Sequence, residues 1–113
     1  MSADLVRKDY NALVAILTGR YPNIDPFLVI KSAMLTRKYP NEKEQRFWLE
    51  VTLKQGVDPD KKRDEIYSEI GIYGTGLGHN HFQVSLQSDL DTILKLANDK
   101  DIEKIEGEVF PFS

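Results

Sequence analysis

Two histidines, one tryptophan and a short glycine-rich run are the places where this sequence could do chemistry. His79 and His81 flank Asn80. At i, i+2 on a strand they share a face and could offer two metal ligands. A zinc site needs at least three protein ligands. The chain has no cysteine, and no carboxylate is spaced to join the pair from nearby. As a general acid or base, either histidine lacks a neighbour in sequence that would orient it. Gly74-Thr75-Gly76-Leu77-Gly78 invites a phosphate-loop reading. The dinucleotide fingerprint would put its third glycine at His79 and follow it with a helix, whereas a strand follows here. The Gly-Lys-Ser/Thr of a P-loop is absent as well. The run therefore reads as a hairpin: Ile72-Tyr73 as a short strand and Gly76 to Asn80 as the turn. A different reading makes the domain a self-associating regulatory or small-ligand-binding one, with Gly76, Gly78, His79 and His81 lining the site. No metal and no cofactor is expected.

Trp48 carries more information. It stands on the polar side of an amphipathic strand, beside Glu50 and Thr52. An aromatic among polar neighbours is a common binding hot spot. Two readings stand: an open sheet face that docks a partner, or a face covered by the N-terminal segment, with Trp48 buried. Base stacking by an RNA-binding sheet would need aromatics on a second central strand. That strand offers His81, Gln83 and Ser85 instead, so nucleic acid is not expected. No nucleophile with a base beside it can be picked out, which argues for binding over catalysis. Asp99, Asp101, Glu103, Glu106 and Glu108 read as solubility charge. Lys61-Lys62-Arg63 reads as a solvated helix face, with an anion or acidic-partner contact as the alternative.

Length and composition bound these readings. The chain has 113 residues, 41% apolar and 29% charged, enough for one packed core. There is no apolar run of membrane-spanning length. Charges interrupt the N-terminus MSADLVRKDY where a secretory signal would be apolar. With no cysteine, this points to the cytoplasm. The net charge of −3 hides an asymmetry. Residues 1–63 carry 12 Lys/Arg against 8 Asp/Glu, and residues 64–113 carry 3 against 10. A basic front and an acidic back could attract each other within the fold or between molecules, and a homodimer stays open.

The elements that must position these residues follow from periodicity. Ser2 to Leu17 predicts a helix ended by Gly19, with Leu5, Val6, Tyr10, Leu13, Val14 and Leu17 as its apolar face. Asp25-Pro26 opens a second helix to Lys38, with Phe27, Ile30, Met34 and Leu35 on one side. These helices predict an N-terminal hairpin over residues 1–44, with the polar run Asn41 to Gln45 as the boundary. A partner-binding or dimer-forming arm is the alternative.

Arg46 to Lys54 alternates: Phe47, Leu49, Val51 and Leu53 face one way. Asp58-Pro59 opens a helix to about Ile70, with Ile66, Tyr67 and Ile70 inward and Gly71 as its stop. Phe82, Val84 and Leu86 alternate in the next strand. A helix follows, capped by Ser88, with Leu90, Ile93, Leu94 and Ala97 as its stripe. Ile102, Ile105, Val109 and Phe110 form a last strand parallel to the preceding one, with Gly107 as a bulge or bend. Strand, helix, strand, strand, helix, strand predicts an α+β fold. It is the ferredoxin-like βαββαβ antiparallel sheet over residues 45–113, preceded by the helical hairpin.

Residues Arg46 to Glu108 resemble the subtilisin-propeptide and proteinase-inhibitor family. The matching pieces are the strand, turn and helix FWLEVTLKQGVDPDKKRDEI, the strand and helix HFQVSLQSDLDTILKLAND, and Ile102-Glu103-Lys104-Ile105-Glu106-Gly107-Glu108 against a V-x-x-V-E-x-D/E strand. The resemblance implies a non-enzymatic module whose sheet face packs on a subtilisin-type protease while its C-terminal tail enters the active cleft. It implies Val109, Phe110, Pro111, Phe112 and Ser113 as the tail, with Phe110 able to fill an apolar subsite, while the strand alternation puts Trp48 and Glu50 on the face.

Overall fold

The computed structural model describes residues 3–71, 74–76 and 80–111, without the side chains of Ala3, Asp4, Leu5, Val6 and Ile70. The chain runs α1 (Ala3–Arg20), α2 (Pro26–Lys38), β1 (Gln45–Leu53), α3 (Pro59–Ile70), β2 (Thr75–Gly76), β3 (His81–Ser88), α4 (Leu90–Ala97) and β4 (Ile102–Phe110). The fold is α+β, with one antiparallel four-stranded sheet in the order β2-β3-β1-β4. β1 pairs antiparallel with both β3 and β4. β3 and β4 are therefore parallel to each other, with β1 between them.

Strict alternation in β1 gives the sheet one greasy face. Phe47, Leu49, Val51 and Leu53 are buried, as are Phe82 and Val84 from β3 and Ile102, Ile105 and Val109 from β4. α4 lays Ile93, Leu96 and Ala97 on that face, and α3 contributes Ile66. All of them join one core. Tyr67 points away from it and is exposed.

Helix ends follow local chemistry. Asp25 and Asp58 cap α2 and α3, each followed by proline in the first turn. Gly71 closes α3 at φ 74°, a conformation that costs glycine little. α4 is capped by Asp89, not Ser88: the carboxylate accepts from the backbone N–H and the hydroxyl of Thr92. Ser88 remains in β3 and is buried. Gly19 does not stop α1. Nothing crowds it, and the helix runs on to Arg20, just before Tyr21-Pro22.

The two N-terminal helices differ in how they pack. α2 buries Leu28, Val29 and Ser32 against β4 and α4. Phe27 and Met34, half of the stripe expected to pack, are 54% and 65% exposed. The helix has two apolar sides, so its stripe did not select the inner face; packing against β4 and α4 did. α1 is mostly exposed, with Val14 and Leu17 half-buried. Its Tyr10 ring lies 6.1 Å from that of Phe27.

Gln45, expected in a linker, is buried at the start of β1. Its Nε2 donates to the Ser32 carbonyl at 2.9 Å and to Thr36 Oγ1 at 3.0 Å, and its Oε1 accepts from the Ser32 hydroxyl. That satisfies a polar group that burial would otherwise penalise. Farther along, Asn23 to Asp25 runs beside the outer edge of β4. Ile105 N–H donates to the Asn23 carbonyl, and Asp25 N–H to the Ile105 carbonyl. The bridge covers part of an edge that would otherwise be open to pairing.

Candidate functional site

Among the described residues no helix packs on the opposite face of the sheet. Because side chains alternate, every second residue of β1, β3 and β4 points there. The registers arrange them in four rows across β3, β1 and β4: Gln87, Arg46, Phe110; then Ser85, Trp48, Glu108; then Gln83, Glu50, Glu106; then His81, Thr52, Lys104. Trp48 lies on an inner strand and is 51% exposed. Of the two readings of this residue, burial under the N-terminal helices does not occur, since α2 lies on the core side of the sheet.

Trp48 forms a ridge between two shallow hollows. One lies among Arg46, Trp48, Ser85, Gln87 and Phe110. The other lies among Trp48, Glu50, Gln83, Glu106 and Glu108, with Gly107 at its floor. Gly107 is required there. Its φ is 150°, and a Cβ would collide with the Trp48 carbonyl. It is not a bulge: pairing runs through it opposite Leu49, and the register breaks instead between Thr52 and Leu53.

The acidic hollow has an unusual charge arrangement. Glu50 and Glu106 sit directly opposite each other, where like charges are destabilising. Lys104 Nζ lies 3.4 Å from Glu106, and His81 Nδ1 lies 3.8 Å from Glu50 and 3.0 Å from Thr52 Oγ1. Glu108 has no partner among the described residues. Glu106 and Glu108, which in sequence read as solubility charge, share this hollow with the tryptophan. Sequence reasoning missed them because a two-residue step along β4 was not registered against β1.

Phe110 is not part of a free tail. It is the last residue of β4, paired with Arg46 and 41% exposed on the open face, with Lys31 Nζ 5.2 Å from its ring centre. Phe112 and Ser113 lie outside the described residues, as do Ile72, Tyr73, Gly78 and His79. Gly76 is the last residue of β2, paired with Phe82; the middle of the turn expected from Gly76 to Asn80 lies outside the described residues. Gly74 packs so close to the Phe82 ring that a Cβ would collide with it. That contact is a structural reason for a glycine at this point of the run. Among the described residues no group of three or more His, Asp or Glu could hold a metal ion. None of their helices is long and apolar enough to cross a membrane.

Lys62 does not lie on a solvated face. Its side chain is 9% exposed and reaches Asp99, Asp101 at 3.1 Å and Glu65 at 3.6 Å. Burial pulls its pKa down, but hydrogen bonds and attraction from Asp99 and Asp101 outweigh that and hold it above the ordinary lysine value. Asp89 is held below the ordinary carboxylate value, chiefly by the hydrogen bonds from Thr92. Both groups are scaffold: one ties α3 to the turn before β4, the other starts α4.

No protein-family model, curated protein or solved structure matches the chain.

Proposed function

We propose that this chain is a non-enzymatic protein-binding module that docks a partner on the open face of its sheet. The observation that carries the reading is Trp48, half exposed at the centre of a face no helix covers. A large aromatic held on a rigid strand gives contact area at little entropic cost, and such residues dominate binding energy. Phe110 adds a second aromatic one row away, and Glu50, Glu106 and Glu108 supply charge for specificity.

The strand order, with α3 and α4 as crossovers on one face, supports reading residues 45–111 as a ferredoxin-like domain. Residues 1–44 would be its N-terminal helical hairpin. That domain, together with the resemblance to the subtilisin-propeptide family, makes a subtilisin-type protease the first partner to test. Phe110 then contributes through the face rather than as a tail residue. A chain without cysteine fits work in a reducing compartment such as the cytoplasm.

The test is titration of a subtilisin-type protease with the intact protein and with Trp48→Ala. Slow, tight inhibition weakened at least tenfold by the substitution supports the inhibitor form. No inhibition by the intact protein removes that form. The binding module itself is tested by affinity capture with the intact protein and Trp48→Glu as paired baits. If every captured protein is retained by Trp48→Glu, the face is not a docking surface.

A further inference from the structure

The exposed side of α2 has the chemistry the sheet face lacks. Phe27, Lys31, Met34 and Lys38 fall at i, i+4, i+7 and i+11, so they form one strip, and all four are exposed. Arg37 flanks it. Between Pro26 and Lys38 the helix contains no acidic residue. Among the described residues Lys31, Arg37 and Lys38 have no carboxylate partner, and Lys31 and Lys38 lie over the aromatic rings of Phe110 and Tyr39. Exposed apolar side chains edged by cations that no carboxylate holds mark a contact surface.

The same chain carries the complement. The sheet face presents Trp48 with Glu50, Glu106 and Glu108 around one hollow. Glu108 is unpaired among the described residues, and Glu50 opposes Glu106. The sizes agree. From Phe27 to Lys38 the helix rises about 17 Å, and β1 from Arg46 to Thr52 extends about 20 Å. α2 cannot lay its strip along its own sheet face, because Leu28 and Val29 hold it against the other side; only the Lys31 ammonium reaches round to that face, at Phe110.

We infer that the occupant of the open face is a second copy of this chain, which lays the Phe27, Lys31, Met34, Lys38 strip of its α2 across Trp48 and the three glutamates. The contact is heterologous: strip on one copy, face on the other. It deepens the docking reading above and rests on it. Met34 and Phe27 meet the tryptophan, while the lysines and Arg37 meet the carboxylates. An external partner for the same face then competes with self-association, and the free module is stored with its binding surface covered.

The experiment is sedimentation-velocity or light-scattering measurement of mass across a concentration series, on the intact chain, Trp48→Glu and the double variant Lys31→Glu/Met34→Glu. All substituted side chains are exposed, and circular dichroism with thermal melts checks that each variant folds. The intact chain is expected to self-associate, at least tenfold more weakly in 500 mM than in 50 mM salt. Each variant alone is expected to be a monomer. Mixed one to one, the variants are expected to form a heterodimer, since one retains the strip and the other the face. A wild-type monomer at millimolar concentration overturns the inference. So does association that the mixture fails to restore, which would mean like surfaces pair, or association indifferent to salt. If the wild type is a monomer yet Trp48→Glu loses a captured partner, only self-docking fails; if Trp48→Glu alters neither, the docking reading fails too.

Discussion

The two sides of β1 make the most instructive contrast in this molecule. Leu49 and Val51 are fully buried, while Trp48, between Phe47 and Leu49, is half exposed. One step along a strand separates a core position from a surface one. The buried side is apolar and shared by three helices and three long strands. The open side combines an aromatic ridge with facing carboxylates, which a face built only for stability would avoid. Mutations should therefore sort by side of the sheet and not by residue size.

The sharpest way to break that contrast is in the core. Leu49→Ala should cost about 4 kcal/mol, by lost burial and an unfilled cavity, in urea unfolding followed by circular dichroism. Lys62→Met should cost about 3 kcal/mol, because Asp99 and Asp101 are left partly buried without their cation. Its pH dependence has a definite sign. A folded-state pKa above the unfolded value of about 10.4 makes the contribution complete below that pH. It fades as pH rises through the folded value, so the gap between wild type and Lys62→Met should narrow in strongly alkaline buffer.

Gly107→Ala tests the junction of the two sides and should cost about 2 kcal/mol, since alanine is strained at this φ and its Cβ meets the Trp48 carbonyl. Asp89→Ala should cost about 1 kcal/mol through the lost cap of α4. With a depressed folded pKa, the Asp89 contribution is present above about pH 3.9 and lost as pH falls through the folded value. The gap between wild type and variant should thus close in acid. The smallest effect belongs to the open side. In dilute solution, below the concentration of self-association, Trp48→Ala should change stability by less than about 0.5 kcal/mol, and the emission of Trp48 should be red-shifted and quenched by acrylamide. A stability loss comparable to Leu49→Ala in that dilute monomer would mean the chain covers its own open face.

Much of the fold was legible because it rests on short-range rules. The alternation of Phe47 to Leu53, the Asp-Pro starts of α2 and α3, and Gly71 as a stop each depend on a few adjacent residues. The misreadings have a common cause: long-range context decided between locally equal options. Ser88 and Asp89 are both good caps, and strand pairing claimed the serine. α2 has two apolar sides, and contact with β4 chose Leu28 and Val29 over Phe27 and Met34. Lys62 found its carboxylates far along the chain. The candidate site was legible at Trp48 and Glu50, which share a strand. Glu106, Glu108 and the placement of Phe110 needed the register between β1 and β4, which no local pattern encodes.

The bridge between Asn23–Asp25 and Ile105 has a consequence for the order of assembly during synthesis. The segment before α2 finds its backbone partner only in β4, which is made after every other element described. β1 likewise waits for both of its neighbours. A nascent chain paused before residue 102 therefore leaves Leu28, Val29 and half of β1 without cover. Until then the growing polypeptide presents sticky, unpaired surface to its surroundings, so shortening the protein from its far end should release its first helices as well as its last strand.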